Sequence, residues 1–405
     1  MRLLHVVDTI DPESGGVSQA VRTMAAQIAD RGLYNEILTL DAPPEQEEGI
    51  AYRINNIGPS NGRWSYSNAL IPWLVSNLGR FDTIIVHGLW LYSGFAVTKA
   101  LSIFKTIIKS EGQSQDLPSL YIMPHGMLDP YFQRSVKRRV KALRNWLYWK
   151  VIEGNVVNSS NGLLFTCRQE CTLARKPFRP YRPKKELVVG LGVMNPPKFS
   201  YSMIDYFSKI CPDVQYGKYI LFLGRIDDKK GVDLLLQAYD KLLVLSEIGE
   251  VPQLVIAGPG MNSSYGLMLQ NFMAEKPRLK DNVRFTGMLT GLDKWSALYG
   301  CEAFILPSHQ ENFGIAVVEA LACGKPVLIS NQVNINTEIL QDQAAIIGED
   351  TVEGTFDMLY RWISTDQTER DKMQERARIC FQRHFAVEAA TSNLINALIQ
   401  VNQDI

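Results

Sequence analysis

Short apolar runs recur along the chain, each followed by a glycine-containing turn and a longer segment of helical character. RLLHVVDT leads to SGGVSQAVRTMAAQIADRG, FDTIIVHG to YSGFAVTKALSIFKTIIK, LYIMPHG to a long basic stretch, and GLLFTC to RQECTLARK. A second series begins after residue 215, with YILFLGR before GVDLLLQAYDKLLVLS and QLVIAGPG before SSYGLMLQNFMAE. It continues with VRFTG before DKWSALYG, AFILPS before a helix, then PVLIS and AAIIG. Compact apolar strands that alternate with helices predict parallel sheets covered on both faces. Because the series occurs twice, the chain is expected to be α/β with two Rossmann-like domains. The proline-containing stretch GVMNPPKFSYSMIDYFSKICPDVQYG reads as an irregular linker between them. The bounds drawn from this are residues 1–195 and 196–385, followed by an amphipathic helix within 386–405. Two such domains hold ligands beyond the carboxyl ends of their strands, in the cleft between them, so those turns are where chemistry is sought.

Composition narrows the classes. With 405 residues, 46% hydrophobic and 21% charged, the chain has core enough for two domains. Its formal net charge of zero provides no global field for nucleic acid. The cysteines are scattered, and the close pair Cys167 and Cys171 is not a CxxC, so a reduced cytoplasmic protein without a structural zinc is expected. MRLLHVVDTIDP lacks the features of a signal peptide, and no run approaches the length of a membrane span. There is no low-complexity segment and no short tandem repeat.

The most informative stretch is HQENFGIAVVEALACGKPV, which carries Glu311 and Glu319. Poor helix formers and a glycine precede the uninterrupted IAVVEALA, so the helix is predicted to start near Gly314. That puts Glu311 in a loop and Glu319 in the second turn. Even on one helix their Cα atoms would stand roughly 12 Å apart, which suits two separate tasks better than a shared proton. In LGRIDDKKG, Arg225 and Lys230 follow a strand and could grip a diphosphate; a solvated turn neutralised by Asp227 and Asp228 is the alternative. Gly15-Gly16-Val17-Ser18 opens a helix and could let backbone N–H groups approach an anion, or simply be a tight turn. GxGxxG is absent at that position, which argues against a dinucleotide-dependent dehydrogenase.

MPHGMLDP places His125 at a strand end beside Pro124 and Gly126, with Asp129 shortly after. His87 in VHGLW shares the arrangement, and Trp90 offers a stacking surface. A packing role is the alternative for each. Residues 134–150 carry seven Lys or Arg and no acid, ending in Trp146, Tyr148 and Trp149. Such a segment can rest on an anionic membrane or serve as a solvated face.

Taken together, the layout resembles the GT-B glycosyltransferases, and within them the retaining family GT4 with its E-x7-E motif. The ordered set LFLGRIDDKKGVDLLLQA, LVIAGPG, VRFTG and AFILPSHQENFGIAVVEALACGKPVLIS carries the likeness, with SGGVSQAV and PHGMLDP matching the family's glycine and histidine loops. The resemblance implies an N-terminal acceptor-binding domain, a C-terminal nucleotide-sugar-binding domain, and a last helix that packs back on the first. It implies that Glu319 accepts from the ribose hydroxyls and that Glu311 lies by the transferred sugar. The N–H groups of Phe313, Gly314 and Ile315 would reach sugar or phosphate, and Arg225 and Lys230 would stabilise the departing diphosphate. Gly16 would add a backbone donor, and His125 would sit against the sugar. His87, Trp90 and Asp129 are acceptor-side candidates. Asn312 departs from the small residue common at its position. The chain has no Asp-x-Asp, which fits diphosphate chemistry without a divalent metal. The implied reaction is retaining transfer of a hexosyl group from a UDP-sugar, or a GDP-sugar, to a glycan or lipid-linked acceptor in polysaccharide or cell-envelope synthesis. Alternatives are transfer to a small soluble acceptor, a non-catalytic nucleotide-sugar-binding protein, and a glycoside hydrolase, whose paired carboxylates need closer spacing.

Overall fold

A computed structural model describes residues 1–11, 14–43, 51–112, 116–134, 139–245 and 251–403. The chain divides into two units, Met1–Gly192 with Val387–Ile405, and Val193–Ala386. The first is built on β1 (Arg2–Val7), β2 (Tyr34–Thr39), β3 (Arg53–Asn56), β4 (Thr83–His87), β5 (Ser119–Met123), β6 (Gly162–Phe165) and β7 (Glu186–Val188). These strands pair in the order β3-β2-β1-β4-β5-β6-β7, and every pairing is parallel. Leu3, Leu4, Val6, Ile84, Ile85, Val86, Tyr121 and Ile122 are buried, as expected when helices cover both faces of a parallel sheet. The strand order reverses between β1 and β4. In open sheets of this kind such a switch leaves a crevice at the carboxyl ends of the two strands.

The second unit contains β8 (Tyr219–Leu223), β9 (Gln253–Ala257), β10 (Val283–Gly287), β11 (Ala303–Leu306), β12 (Val327–Ser330) and β13 (Ala345–Gly348). Its order is β10-β9-β8-β11-β12-β13, again parallel throughout. Here the switch falls between β8 and β11. The turns that leave those two strands carry Arg225, Lys230 and Glu311.

Two readings of the sequence need correction. The stretch read as an irregular linker contains a helix, Ser202–Ile210, that belongs to the second unit. Met203 and Phe207, one turn apart, are its buried face, and Phe207 stacks on Tyr219 at 4.5 Å between ring centroids. Within the basic segment, residues 135–138 lie outside the described residues, while Arg139–Tyr148 is helical and continues into a π-helical turn, Trp149–Glu153. The aromatics at its end do not form one exposed surface. Trp149 is buried against Phe178 and Tyr148 accepts from Trp64 Nε1, so only Trp146 of the three is exposed. Adjacent helical residues point about 100° apart, so consecutive aromatics cannot share a face.

The final helix, Val387–Gln403, lies within the first unit. It buries Val387, Leu394 and Leu398, and Arg31 donates to Ser392 Oγ at 2.9 Å. Gly192 makes this approach possible, because a Cβ there would fall 2.4 Å from Val387 Cα. Among the described residues no helix is long and apolar enough to cross a membrane. All six cysteines are buried and free.

Candidate active site

In the second unit the turn after β11 is shaped by Gly314. Its φ of 76° lies in the left-handed region, and a Cβ would meet Val317 at 3.1 Å and Glu311 at 3.2 Å. The helix Ile315–Ala322 starts immediately after it, with no side-chain cap and no acid in its first turn. Its first N–H groups are thus available to an anion. The Glu311 main chain is clamped from the turn after β12: its N–H donates to Gln332 O at 3.0 Å and its carbonyl accepts from Asn334 N at 2.9 Å. Asn312 Oδ1 accepts from Asn334 Nδ2 at 3.3 Å, so the unusual residue at this position helps tie the two turns together.

The carboxylate of Glu311 is paired with Lys230. Burial alone would raise its pKa, but Lys230, Lys229 and the Gly314 N–H outweigh burial and hold it below the ordinary carboxylate value. Two placements therefore differ from the sequence reading. Lys230 is engaged by Glu311 rather than waiting for a diphosphate, and the Gly314 N–H is spent on the same carboxylate, which leaves those of Phe313 and Ile315. The Phe313 ring is buried edge-on to Phe385 at 5.8 Å. Arg225, by contrast, has a side chain 75% exposed and only a 3.6 Å contact with Asp227, a pair too solvated to restrain it strongly. Lys229 is pulled below its ordinary pKa by burial.

Glu319 sits in the second turn of its helix and is nearly buried. Lys294, from the helix Gly291–Gly300 after β10, donates to Glu319 Oε1 at 2.6 Å. With Oε1 held, Oε2 is left to accept from a ligand hydroxyl. Sequence reasoning did not single out Lys294; its only signal was a lysine in the first turn of a helix following a strand. Each glutamate of the E-x7-E pair thus has its own lysine.

In the first unit, His5, His87 and His125 form a continuous chain. His5 Nδ1 lies 3.0 Å from His87 Nε2, and His87 Nδ1 lies 3.0 Å from His125 Nε2. Burial lowers the pKa of His5 and of His125 to about 4, and lowers that of His87 further below its ordinary value, helped by the two neighbouring rings. All three are neutral near pH 7. His5 was not singled out from sequence, and its place mid-strand reads as packing. His125 and Gly126 both have positive φ, 51° and 82°, and the Gly126 N–H donates to Glu170 Oε1 at 2.5 Å.

Trp90 also adopts a positive φ, 71°, uncommon for a bulky residue, and its N–H donates to Glu153 Oε2 at 3.1 Å. Glu153 is buried, and burial raises its pKa to about 8 against the opposing Trp90 N–H. The Trp90 ring packs among Tyr148, Trp149 and Phe178. Asp129 accepts from Tyr131 N at 2.8 Å at the start of the short helix Tyr131–Arg134, a capping contact. Gly15, with φ 110° and ψ −161°, occupies a region open essentially to glycine alone, and Gly16 begins the helix Gly16–Asp30. Ser18 does not cap that helix but donates to Thr9 O.

With this geometry in place, likeness to known proteins is informative. Residues 213–379 match the family model for glycosyl transferases group 1. The D-inositol 3-phosphate glycosyltransferase of Stackebrandtia nassauensis is 24% identical over 358 residues, which are 83% of this chain and 75% of that protein. The sucrose-phosphate synthase of Thermosynechococcus elongatus superposes with a TM-score of 0.70 at 16% identity, covering 100% of both chains. HepE of Anabaena, solved in complex with UDP-glucose, gives a TM-score of 0.68 at 16% identity over 99% of this chain and 100% of its own. At such identities the solved structures speak for the fold.

Proposed function

We propose that this chain, whose residues 213–379 match the group 1 glycosyltransferases and whose fold is GT-B, moves a hexosyl group from a UDP-sugar to a glycan or lipid-linked acceptor with retention of configuration. The observation that carries this reading is the pair of lysine-held glutamates beyond the carboxyl ends of the strands, Glu319 with Lys294 and Glu311 with Lys230. In this reading Glu319 Oε2 accepts from a ribose hydroxyl while Lys294, bound to Oε1, holds the carboxylate in orientation. Glu311, charged and clamped through its main chain, accepts from hydroxyls of the sugar. The N–H groups of Phe313 and Ile315, at the uncapped helix start, meet phosphate oxygen. Arg225 and Lys230 oppose the charge that grows on the leaving diphosphate, Lys230 exchanging part of its contact with Glu311 for the phosphate. Gly16 adds a backbone donor, and His125 contacts the sugar. UDP is preferred to GDP because HepE, of like fold, is solved with UDP-glucose.

Retention follows from a same-face displacement. The acceptor hydroxyl attacks the anomeric carbon from the side the diphosphate leaves, the C–O bond to phosphate breaks, and the departing phosphate oxygen takes the acceptor's proton. No side chain is needed as nucleophile. The reading assigns acceptor binding to the first unit, and a lipid-linked acceptor is supported by an exposed apolar stripe there. Val140, Leu143, Leu147 and Val151 are all exposed, Val140 at 84%, and Arg139, Lys141, Arg144 and Lys150 flank them. An apolar stripe bordered by cations fits the surface of an anionic bilayer. Thermal unfolding in the presence of UDP, GDP, ADP and their glucose conjugates tests the donor assignment. The UDP compounds should raise the midpoint most, and a panel without any stabilisation would overturn the reading.

A further inference from the structure

The three-histidine chain has a direction, and the direction is set at its buried end. His5 has no exposed surface and His87 is 2% exposed, whereas His125 is partly exposed. Neutral imidazoles joined in series must all point their N–H groups the same way, because each inner nitrogen pair shares one proton. Two arrangements are possible. If the protons point inward, His125 Nε2–H donates to His87, His87 Nε2–H donates to His5, and His5 is left with an N–H at Nε2. If they point outward, His5 Nδ1–H donates to His87, His87 Nδ1–H donates to His125, and His125 carries its proton on Nδ1. His5 Nε2 is buried without a hydrogen-bond partner. A buried donor with no acceptor is the rarer defect in folded proteins, so the outward arrangement is favoured.

We propose that His5 and His87 are positioning residues that hold His125 as a neutral imidazole protonated on Nδ1, presenting an N–H donor to an oxygen of the transferred sugar. The two 3.0 Å contacts fix the ring as well as the tautomer, since rotating His125 would break its bond to His87. The burial of His5 and His87 and the partial burial of His125 keep the chain uncharged near pH 7. A neutral donor at this position orients the sugar through a hydroxyl oxygen and adds no standing cation beside an electron-deficient anomeric carbon. The inference rests on the glycosyltransferase reading for what His125 touches, but not for its tautomer.

The protein contains five histidines, few enough for each ring to be read by long-range proton–nitrogen correlation after 15N-histidine labelling. At pH 7.5 without ligand, His5, His87 and His125 should all show the Nδ1–H pattern. His125 as Nε2–H would overturn the proposal whatever the activity. In His87→Phe, which removes the donor to Nε2, His125 should shift toward Nε2–H. Turnover should fall about ten-fold, the scale of one hydrogen bond, while UDP affinity stays within two-fold. An unchanged His125 tautomer in a folded His87→Phe protein would sink the positioning role. The outward tautomer in a parent protein that binds no nucleotide would leave the relay standing and refute the function instead.

Discussion

Replacing Glu319 with alanine isolates the ribose contact, and its expected size follows from the local geometry. The carboxylate is nearly buried, Oε1 is bound by Lys294 at 2.6 Å, and Oε2 remains for a hydroxyl. A hydrogen bond to a charged acceptor contributes about 1.5–3 kcal/mol, so UDP should bind roughly ten- to a hundred-fold more weakly to Glu319→Ala. The substitution also strands the Lys294 cation, which could attract the diphosphate and mask part of the loss. The double variant Lys294→Met/Glu319→Ala removes that cation and restores the charge balance. Isothermal calorimetry with UDP and 2′-deoxy-UDP completes the cycle. The parent should distinguish the two nucleotides, and both alanine variants should bind them nearly equally. If the deoxy penalty survives undiminished in the double variant, the hydroxyl is read by another residue and the assignment of Glu319 is wrong.

Turnover in excess EDTA should persist, whereas Arg225→Ala or Lys230→Ala should lower kcat on the order of a hundred- to a thousand-fold; full loss in EDTA with rescue by magnesium would refute that division. Glu311→Ala should abolish most transfer yet bind free UDP at least as well as the parent, because it releases Lys230 toward the phosphates; weakened UDP binding in calorimetry would contradict this. The folded protein should lose stability as the pH falls from about 6.5 toward 4. His5 and His125 have folded pKa values of about 4, so the unfolded chain binds more protons across that window, at up to ~1.4 kcal/mol per pH unit for each ring. Urea midpoints that do not move between pH 7.5 and 5 would refute the neutral chain. Finally, the protein should sediment with anionic but not neutral vesicles at low salt, and Leu143→Asp should reduce this; equal recovery on both vesicles would return the stripe to a solvated face.

What the sequence made legible was whatever is decided within a few residues. Apolar runs such as YILFL and AFIL become covered parallel strands because nothing polar interrupts them, and Gly314 marks the helix start because its φ of 76° suits glycine. The Ser202–Ile210 helix was missed because the prolines before it suggested an irregular path, while its Met203 and Phe207 pairing is a weak signal over nine residues. Partnerships between elements were hidden for a different reason. Lys294 and Glu319 are 25 positions apart on separate helices, and His5 and His87 meet only because β1 and β4 pair in the register that sets His5 beside Ile85. Nothing in the local pattern at either residue encodes that register. The consequence for the chemistry is that motif residues alone do not reveal their pairing: Lys230, read with Asp227 and Asp228 as its candidate neutralisers, is instead half of an ion pair with Glu311. In the proposed reading a donor diphosphate competes with Glu311 for Lys230, and the sugar hydroxyls compete with Lys230 for Glu311. A nucleotide sugar offers both replacements in one molecule, whereas free UDP offers only the first. On that reading the asymmetry makes the pair a means of discriminating loaded donor from spent nucleotide: losing Lys230 to a phosphate costs the part-buried Glu311 carboxylate its ion-pair partner unless sugar hydroxyls take the vacated contact.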